Sequence, residues 1–132
     1  MKCLLDTTAY SELVRGHAAV ADTVKQAEAI FLPNVVMAEL AYGFRLGGRQ
    51  AENERLLHRF IASKKVHVLL PDMATTDYFA AVALYARRQG VQLSLHDIWI
   101  AAVAEQHEAT LVTFDNDFKH LSYPRLKLQL ES

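Results

Sequence analysis

Two aspartates directly follow short apolar runs, where a buried β-strand would deliver a side chain to a pocket. Asp6 comes after Cys3–Leu5, and Asp115 comes after Leu111–Phe114. Each aspartate could instead cap the helix or turn that follows it, because aspartate is a preferred N-cap residue. If the two strands are neighbours in a parallel sheet, both carboxylates reach the same edge, and such sheets bind their ligands at that edge.

Two further acids interrupt helical segments that are otherwise apolar. Glu39 lies within Val35–Phe44, and Asp97 lies within Ser94–Ala104. An ionised carboxylate among apolar groups is costly, so each must meet water, take up a proton, find a cation or bind a metal. For Glu39 the simpler interpretation is an exposed helix position. For Asp97 it is a capping box, since Ser94 and Asp97 have the required spacing.

The chemistry that these four acids would share is the binding of a hard divalent cation. Four carboxylates in one pocket repel one another strongly unless cations neutralise them. Ligand sets made only of oxygen favour Mg²⁺ or Mn²⁺ over zinc or copper, and such ions meet their substrates through phosphate oxygens. Paired ions can activate a water and stabilise the departing oxygen of a phosphodiester. The set therefore predicts phosphodiester hydrolysis.

The elements that must position these acids alternate between short strands and longer helices. Strands are predicted at Lys2–Leu5, Ala29–Leu32, Val66–Leu70, Thr110–Phe114 and Lys127–Leu130. Helices are predicted at Thr8–Arg15, Ala18–Ala27, Asn34–Leu46, Ala51–Ser63, Asp72–Gln89 and Ser94–Glu108. Pro33-Asn34 offers an N-cap, and Gly47-Gly48 and Gly90 offer helix ends. Alternation of this kind predicts an α/β fold in which helices cover both faces of a parallel sheet.

Size and composition predict one domain, residues 1–132, in a reducing compartment. The chain has 132 residues, of which 52% are hydrophobic, and it contains one cysteine. A single cysteine excludes a disulfide framework or a zinc knuckle within the chain. The sequence reaches Asp6 too early for a secretory signal, and no apolar run is long enough to cross a bilayer, so we expect a cytoplasmic protein without membrane contact.

The charge balance excludes a protein that coats nucleic acid by bulk electrostatics, because the net charge is −1. The net charge does not exclude a local basic surface between Arg45 and Lys65. Arg45 and Arg49 are one helical turn apart and are candidate substrate-binding residues, although a solvated helix face with ion pairs is the simpler interpretation. His96 stays outside the predicted site, since neighbouring helix positions point about 100° apart.

Four motifs resemble the PIN domain, and within it the VapC-type toxins of toxin–antitoxin pairs. They are Leu5-Asp6-Thr7-Thr8, Ala38-Glu39-Leu40-Ala41-Tyr42-Gly43, Asp97-Ile98-Trp99-Ile100-Ala101-Ala102 and Leu111-Val112-Thr113-Phe114-Asp115-Asn116-Asp117-Phe118. The resemblance spans nearly the whole chain. Each motif alone is weak, but four in this order and at these separations are specific.

The resemblance implies a three-layer α/β/α fold with a central, mainly parallel sheet of four to five strands. It implies metal binding by Asp6, Glu39, Asp97 and Asp115, with Thr7 and Thr113 as polar residues near the metal. The activity implied is that of a Mg²⁺- or Mn²⁺-dependent endoribonuclease that is held inactive by a cognate VapB-like antitoxin and is commonly a homodimer. Asp117 follows Asp115 at an unusual spacing, so we expect Asp115 to be the main ligand and Asp117 to assist it.

Two interpretations from other classes compete with a nuclease. A doubly wound signalling domain would carry a Mg²⁺-bound aspartate that accepts a phosphoryl group, but it needs a lysine late in the sheet, and Thr110–Phe114 offers none. Such a domain would also give Glu39 and Asp97 no role. In a nonenzymatic binding module, all four acids would be helix caps or surface groups.

Overall fold

A five-stranded, entirely parallel sheet forms the centre of the computed structural model, which describes all residues from Met1 to Ser132. The strands are β1 (Lys2–Leu5), β2 (Ala29–Pro33), β3 (Val66–Leu69), β4 (Thr110–Thr113) and β5 (Lys127–Leu130). Their order across the sheet is β3-β2-β1-β4-β5. The prediction of a mainly parallel sheet of four to five strands is confirmed.

Six helices and one short 3₁₀ turn connect the strands. The helices are α1 (Thr7–Val14), α2 (Ala18–Gln26), α3 (Asn34–Leu46), α4 (Gln50–Ile61), α5 (Met73–Arg88) and α6 (Leu95–Gln106), and the turn is Asn116–Phe118. All six were predicted, with bounds that differ by one or two residues at several ends. No helix combines the length and the apolar composition that a membrane crossing requires.

Three differences from the sequence prediction have local causes. The N-cap predicted at Asn34 is wrong, because Asn34 is already the first helical residue and Pro33 holds the cap position without a side-chain bond. β4 stops at Thr113 because the amide of Phe114 donates to the Thr8 hydroxyl. β3 stops at Leu69 because its partner strand β2 ends at Pro33, which pairs with Leu69, and α3 begins at Asn34.

Helices cover both faces of the sheet and complete the three layers of the predicted fold. Right-handed crossovers put α1–α4 on one face and α5 and α6 on the other. Within the faces, α1 contacts α2 and α3, and α5 contacts chiefly α6; α3 also meets α6, where Glu39 approaches His96. The central strands are buried on both sides, as Leu4, Leu5, Leu111 and Val112 have no exposed surface. This burial fixes the strand ends that carry the acids.

The strand order reverses direction between β1 and β4. From β1 the chain moves outward to β2 and β3, then returns across the sheet to β4 and β5 on the other side. Open α/β sheets bind ligands at the carboxyl ends of the strands that flank such a reversal. Asp6 follows β1 and Thr113 ends β4, so two predicted site residues stand at this point.

Candidate metal centre

Asp6 lies beside the end of β4. From the sequence, this position is required for the carboxylates of Asp6 and Asp115 to lie near each other. Leu5 pairs with Val112 in the register of the two strands, and the Asp6 amide donates to the Val112 carbonyl at 3.4 Å. Only 3% of Asp6 is exposed. The neighbourhood of β1 and β4 therefore holds a buried carboxylate at the carboxyl edge of the sheet.

Three donors hold the Asp6 carboxylate in place. One oxygen accepts from the Ala9 amide at 2.9 Å and from the Thr8 hydroxyl at 2.7 Å, so Asp6 is the N-cap of α1. The other oxygen accepts from the buried Thr113 hydroxyl. The capping interpretation of Asp6 is thus correct, and it coexists with a place in the acidic site.

Two threonine hydroxyls also brace the segment that carries Asp115. The Thr113 hydroxyl oxygen accepts from the Asp115 amide at 2.9 Å, and the Thr8 hydroxyl oxygen accepts from the Phe114 amide at 2.9 Å. Thr113 was predicted as a supporting residue, whereas Thr8 was not. The available signal for Thr8 was its position two residues after Asp6, where a hydroxyl can return to an aspartate side chain.

Asp97, Asp115 and Asp117 form a group of three carboxylates. Each offers an oxygen, and these three oxygens all lie within 4.8 Å of one another. Asp97 comes from the first turn of α6, where its amide donates to Ser94. One Asp115 oxygen accepts from the Asp117 amide at 2.9 Å and caps the 3₁₀ turn, which bends both acids toward Asp97. Asp115 and Asp117 therefore face the same space, and the sequence alone left open which of them would do so.

The charges and burial of this group raise the pKa of two of its carboxyls. Burial is the largest cause for Asp6, and the charge of Asp115 adds to it, while hydrogen bonds from Thr113, Thr8 and Ala9 oppose the rise in pKa. For Asp97, burial again comes first, followed by the charges of Asp115 and Asp117, with hydrogen bonds from Ser94 acting in the opposite direction. The charge of Asp115 contributes to both pKa shifts, and the Thr113 hydroxyl donates to the Asp6 carboxylate and accepts from the Asp115 amide, so Asp6 lies beside the three-acid group.

Glu39 flanks this group rather than joining it. One of its oxygens accepts from the Thr7 hydroxyl at 2.9 Å, and the other lies 3.5 Å from Nδ1 of His96. Thr7 is next to Asp6 in the chain, and His96 is next to Asp97. Glu39 is therefore linked to the acidic site from two sides, and His96, which the sequence did not assign to the site, contacts a predicted site residue.

Arg45 and Arg49 lie away from the acids. Six residues separate Arg45 from Glu39, which places it about 9 Å further along α3. Arg49 forms an exposed ion pair with Glu52 at 3.8 Å and lines a cavity of about 370 Å³ together with Arg15. A substrate-binding role for these two arginines stays a prediction.

The donor set fits a hard divalent cation. Asp97, Asp115 and Asp117 offer only carboxylate oxygens, which Mg²⁺ and Mn²⁺ accept and which softer metals disfavour. The oxygens of the three carboxylates lie within 4.8 Å of one another, a spacing at which the group could hold a metal ion.

Comparison with known proteins decides the family. A profile of the PIN domain matches residues 3–122. The chain belongs to the PIN-domain family. PIN domains are nucleases, and membership of this family supports the interpretation of the chain as a hydrolase. No protein of curated function matches this PIN domain by sequence.

Solved structures share the fold of this PIN domain over nearly the entire chain. A chain from VapBC2 of Rickettsia felis bound to promoter DNA is 23% identical with a TM-score of 0.83, covering 100% of both chains. FitAcB from Neisseria gonorrhoeae is 25% identical with a TM-score of 0.72, covering 97% of this chain and 96% of that one. VapC20 of Mycobacterium tuberculosis, a toxin that cleaves the sarcin–ricin loop, is 15% identical with a TM-score of 0.69, covering 94% and 98%.

We expect Asp97→Asn to stabilise the metal-free protein at neutral pH. The pKa of Asp97 is raised in the folded state, so folding binds its proton more tightly, and the associated stability is lost as pH rises through the folded pKa. Removing this charge removes the cost of burying it and relieves repulsion from Asp115 and Asp117. The melting temperature in EDTA at pH 7.5 should rise by roughly 2–8 °C, and the gain should vanish in acid.

The matched control is Asp77→Asn, because Asp77 is an exposed acid on α5 outside the group. It should leave the melting temperature unchanged. Mg²⁺ should stabilise the wild type and the control but not Asp97→Asn. Equal melting temperatures for wild type and Asp97→Asn in EDTA would contradict the electrostatic account of the site.

Proposed function

We propose that this PIN domain is a Mg²⁺- or Mn²⁺-dependent endoribonuclease and acts as the toxin of a VapBC-type toxin–antitoxin pair. The observation that carries the proposal is the convergence of Asp97, Asp115 and Asp117 beside buried Asp6. Asp115 and Asp117 follow β4, at the point where the strand order reverses and where open α/β sheets bind their ligands. The strongly anionic site also repels RNA phosphate, and a bound cation reverses that repulsion.

In the proposed site, Asp97, Asp115 and Asp117 hold the cation. Asp6 adds a negative charge beside them, and Glu39 lies at the side of the group. When bound, divalent ions supply an activated water and charge stabilisation for the leaving oxygen. Thr8 and Thr113 orient Asp6 and the backbone at Asp115. Thr7 and His96 fix the position of Glu39, and His96 is 60% exposed, so it can also meet the substrate.

Two arguments support RNA as the substrate and an antitoxin as the partner. VapC20, which shares the fold, is described as a toxin that cleaves the sarcin–ricin loop. Complexes named VapBC from Rickettsia felis and Salmonella typhimurium share it with TM-scores of 0.83 each. An RNA substrate and a protein partner agree with the cytoplasmic location predicted from the sequence.

The signalling alternative loses support from the strand order. Receiver domains have the doubly wound order 2-1-3-4-5, whereas this sheet has the order β3-β2-β1-β4-β5. The nonenzymatic alternative would leave the repulsion among the three grouped carboxylates without a compensating benefit. Both alternatives can be tested alongside the nuclease assay, because neither predicts metal-dependent RNA cleavage.

We expect the purified protein, freed of any antitoxin, to cleave single-stranded RNA in Mg²⁺ or Mn²⁺, to stop in EDTA and to resume when Mg²⁺ is restored. Asp115→Asn should lower the cleavage rate by more than about 100-fold, since even outer-shell partners of metal ligands are worth 10–100-fold. Asp115→Asn is a better test than Asp6→Ala, because Asp6→Ala would also remove the N-cap of α1 and leave the Thr113 hydroxyl without its hydrogen-bond acceptor. Asp77→Asn is the control. Undiminished cleavage by Asp115→Asn would exclude the proposed site.

An apolar groove offers a place for the antitoxin. It has a volume of about 430 Å³, lies between α1, α2 and α4, and is lined mainly by apolar side chains, among them Tyr10, Leu13, Val14, Leu56 and Phe60. We propose that an apolar segment of the antitoxin binds there, since the groove is separate from the acids and leaves one broad apolar surface uncovered.

We expect Val14→Glu to weaken inhibition by the antitoxin at least tenfold while RNA cleavage continues. Val14 is 48% exposed, so the substitution should leave the fold intact. Met73→Glu is the control, because Met73 is 83% exposed at the start of α5 and distant from the groove. The measurement is the antitoxin concentration that halves cleavage. An unchanged concentration for Val14→Glu would place the antitoxin on another surface.

Homodimerisation, which the family resemblance implies, stays a prediction. Exposed apolar residues on α3 supply a surface for it, with Tyr42 68% and Leu46 71% exposed. The molar mass of the purified chain in light scattering decides between monomer and dimer.

A further inference from the structure

A polar cavity adjoins the three-acid group and has no assigned role. Its volume is about 680 Å³, within the range of small-molecule sites, about 300–1,000 Å³. Seven of its eight lining residues are not hydrophobic, and those used below are Gln89, Gln92, Asn116, Asp117, His120 and Ser122. Asp117 belongs both to this cavity and to the acid group, so whatever binds here lies next to the reacting centre.

The topology explains why the cavity forms beside the acids. Thr75, near the start of α5, donates to Gln106 at the end of α6, so the two helices run antiparallel. The end of α5 therefore returns to the level of Asp97, at the start of α6. The residues between these helices form one wall of the cavity, and the segment from the 3₁₀ turn to Ser122 forms the other.

The walls of the cavity are fixed by contacts behind them. The Tyr85 hydroxyl of α5 donates to the Ser122 carbonyl at 2.8 Å and joins the two walls. Phe118, which has no exposed surface, anchors the 3₁₀ turn in the core. Gly90 has a φ of +71°, which L side chains rarely adopt, and it makes the sharp exit from α5. These contacts hold the backbone on both sides of the cavity in place, while the polar side chains that line it are exposed.

The chemistry of the lining suits a nucleobase rather than a phosphate. Gln89, Gln92 and Asn116 line the cavity with exposed side-chain amides, and each amide can both donate and accept. His120 adds a flat ring on which a base can stack. No lysine or arginine lines the cavity, so it offers no cationic side chain to a phosphate.

We propose that this cavity binds and reads the nucleobase next to the cleaved phosphodiester bond, so that Gln92 and Asn116 determine cleavage specificity. The inference rests on the proposed ribonuclease function. Unpaired bases are the part of RNA that proteins read by hydrogen bonds to base edges combined with stacking. The amides supply the hydrogen bonds, and His120 supplies the stacking surface. Asp117, which belongs to both the cavity and the acid group, places the bound base next to the acids.

The test compares cleavage preferences on a pool of short oligoribonucleotides with randomised sequence, in Mg²⁺, by sequencing the cut ends. The wild type should prefer one base at a position flanking the cut. In the double variant Gln92→Ala/Asn116→Ala, the preference for this base should be about tenfold weaker, as expected for the loss of one good base contact. The value of kcat/KM on the preferred sequence should fall by the same factor. Gln26→Ala, an exposed glutamine at the end of α2 beyond the opposite edge of the sheet, should keep the wild-type preference.

The outcomes separate this inference from the function on which it rests. Metal-dependent cleavage with the same base preference in wild type and double variant would overturn the base-reading cavity and leave the nuclease standing. Cleavage by the wild type with no preference at any flanking position would overturn it as well. Absence of cleavage by the wild type in Mg²⁺ and Mn²⁺ would overturn both.

Discussion

Mutual repulsion among carboxylates at one end of the β1–β4 pair is the constraint on which the structure of the site depends. Oxygens of Asp97, Asp115 and Asp117 lie within 4.8 Å of one another, and burial, with a further contribution from the charge of Asp115, raises the pKa of Asp6. A folded chain tolerates such a cluster only if surrounding groups hold it in place or a cation neutralises it. We therefore expect the cluster to reduce the stability of the metal-free fold and to favour metal binding, the usual conflict between stability and function at active sites.

Hydroxyls and backbone amides, rather than cationic side chains, hold the acids together. Thr8 and Thr113 donate to Asp6, and their oxygens accept from the amides of Phe114 and Asp115. No arginine or lysine pairs with these acids, and the one basic side chain nearby, His96, contacts Glu39. The site thus remains anionic overall. Helix and turn capping by Asp6 and Asp115 orients their carboxylates without neutralising them, so the structural and functional interpretations of these residues are compatible.

The strands, helices and strand-end positions of Asp6 and Asp115 were predictable, because hydrophobic periodicity and turn residues mark them along the chain. The sequence predicted that Asp6 and Asp115 would converge only if β1 and β4 were neighbours, and the strand order places these two strands side by side. Asp117 was undecided, since its direction depends on a 3₁₀ turn that no local pattern fixes. The contacts of Thr8 with Phe114 and of His96 with Glu39 join residues far apart in the chain, so their spacing carries no signal. Asn34 was misassigned because its type favours a cap, while the proline before it already takes that position.

The location of a divalent ion tests this account most directly. A crystal of the protein grown with Mn²⁺ and measured at an X-ray energy that gives Mn²⁺ an anomalous signal shows where the ion sits. We expect a peak bound by carboxylate oxygens of Asp97, Asp115 and Asp117, which disappears in Asp97→Asn and persists in Asp77→Asn. A peak elsewhere, or none among these acids at saturating Mn²⁺, would contradict the claim that their repulsion is resolved by a metal ion.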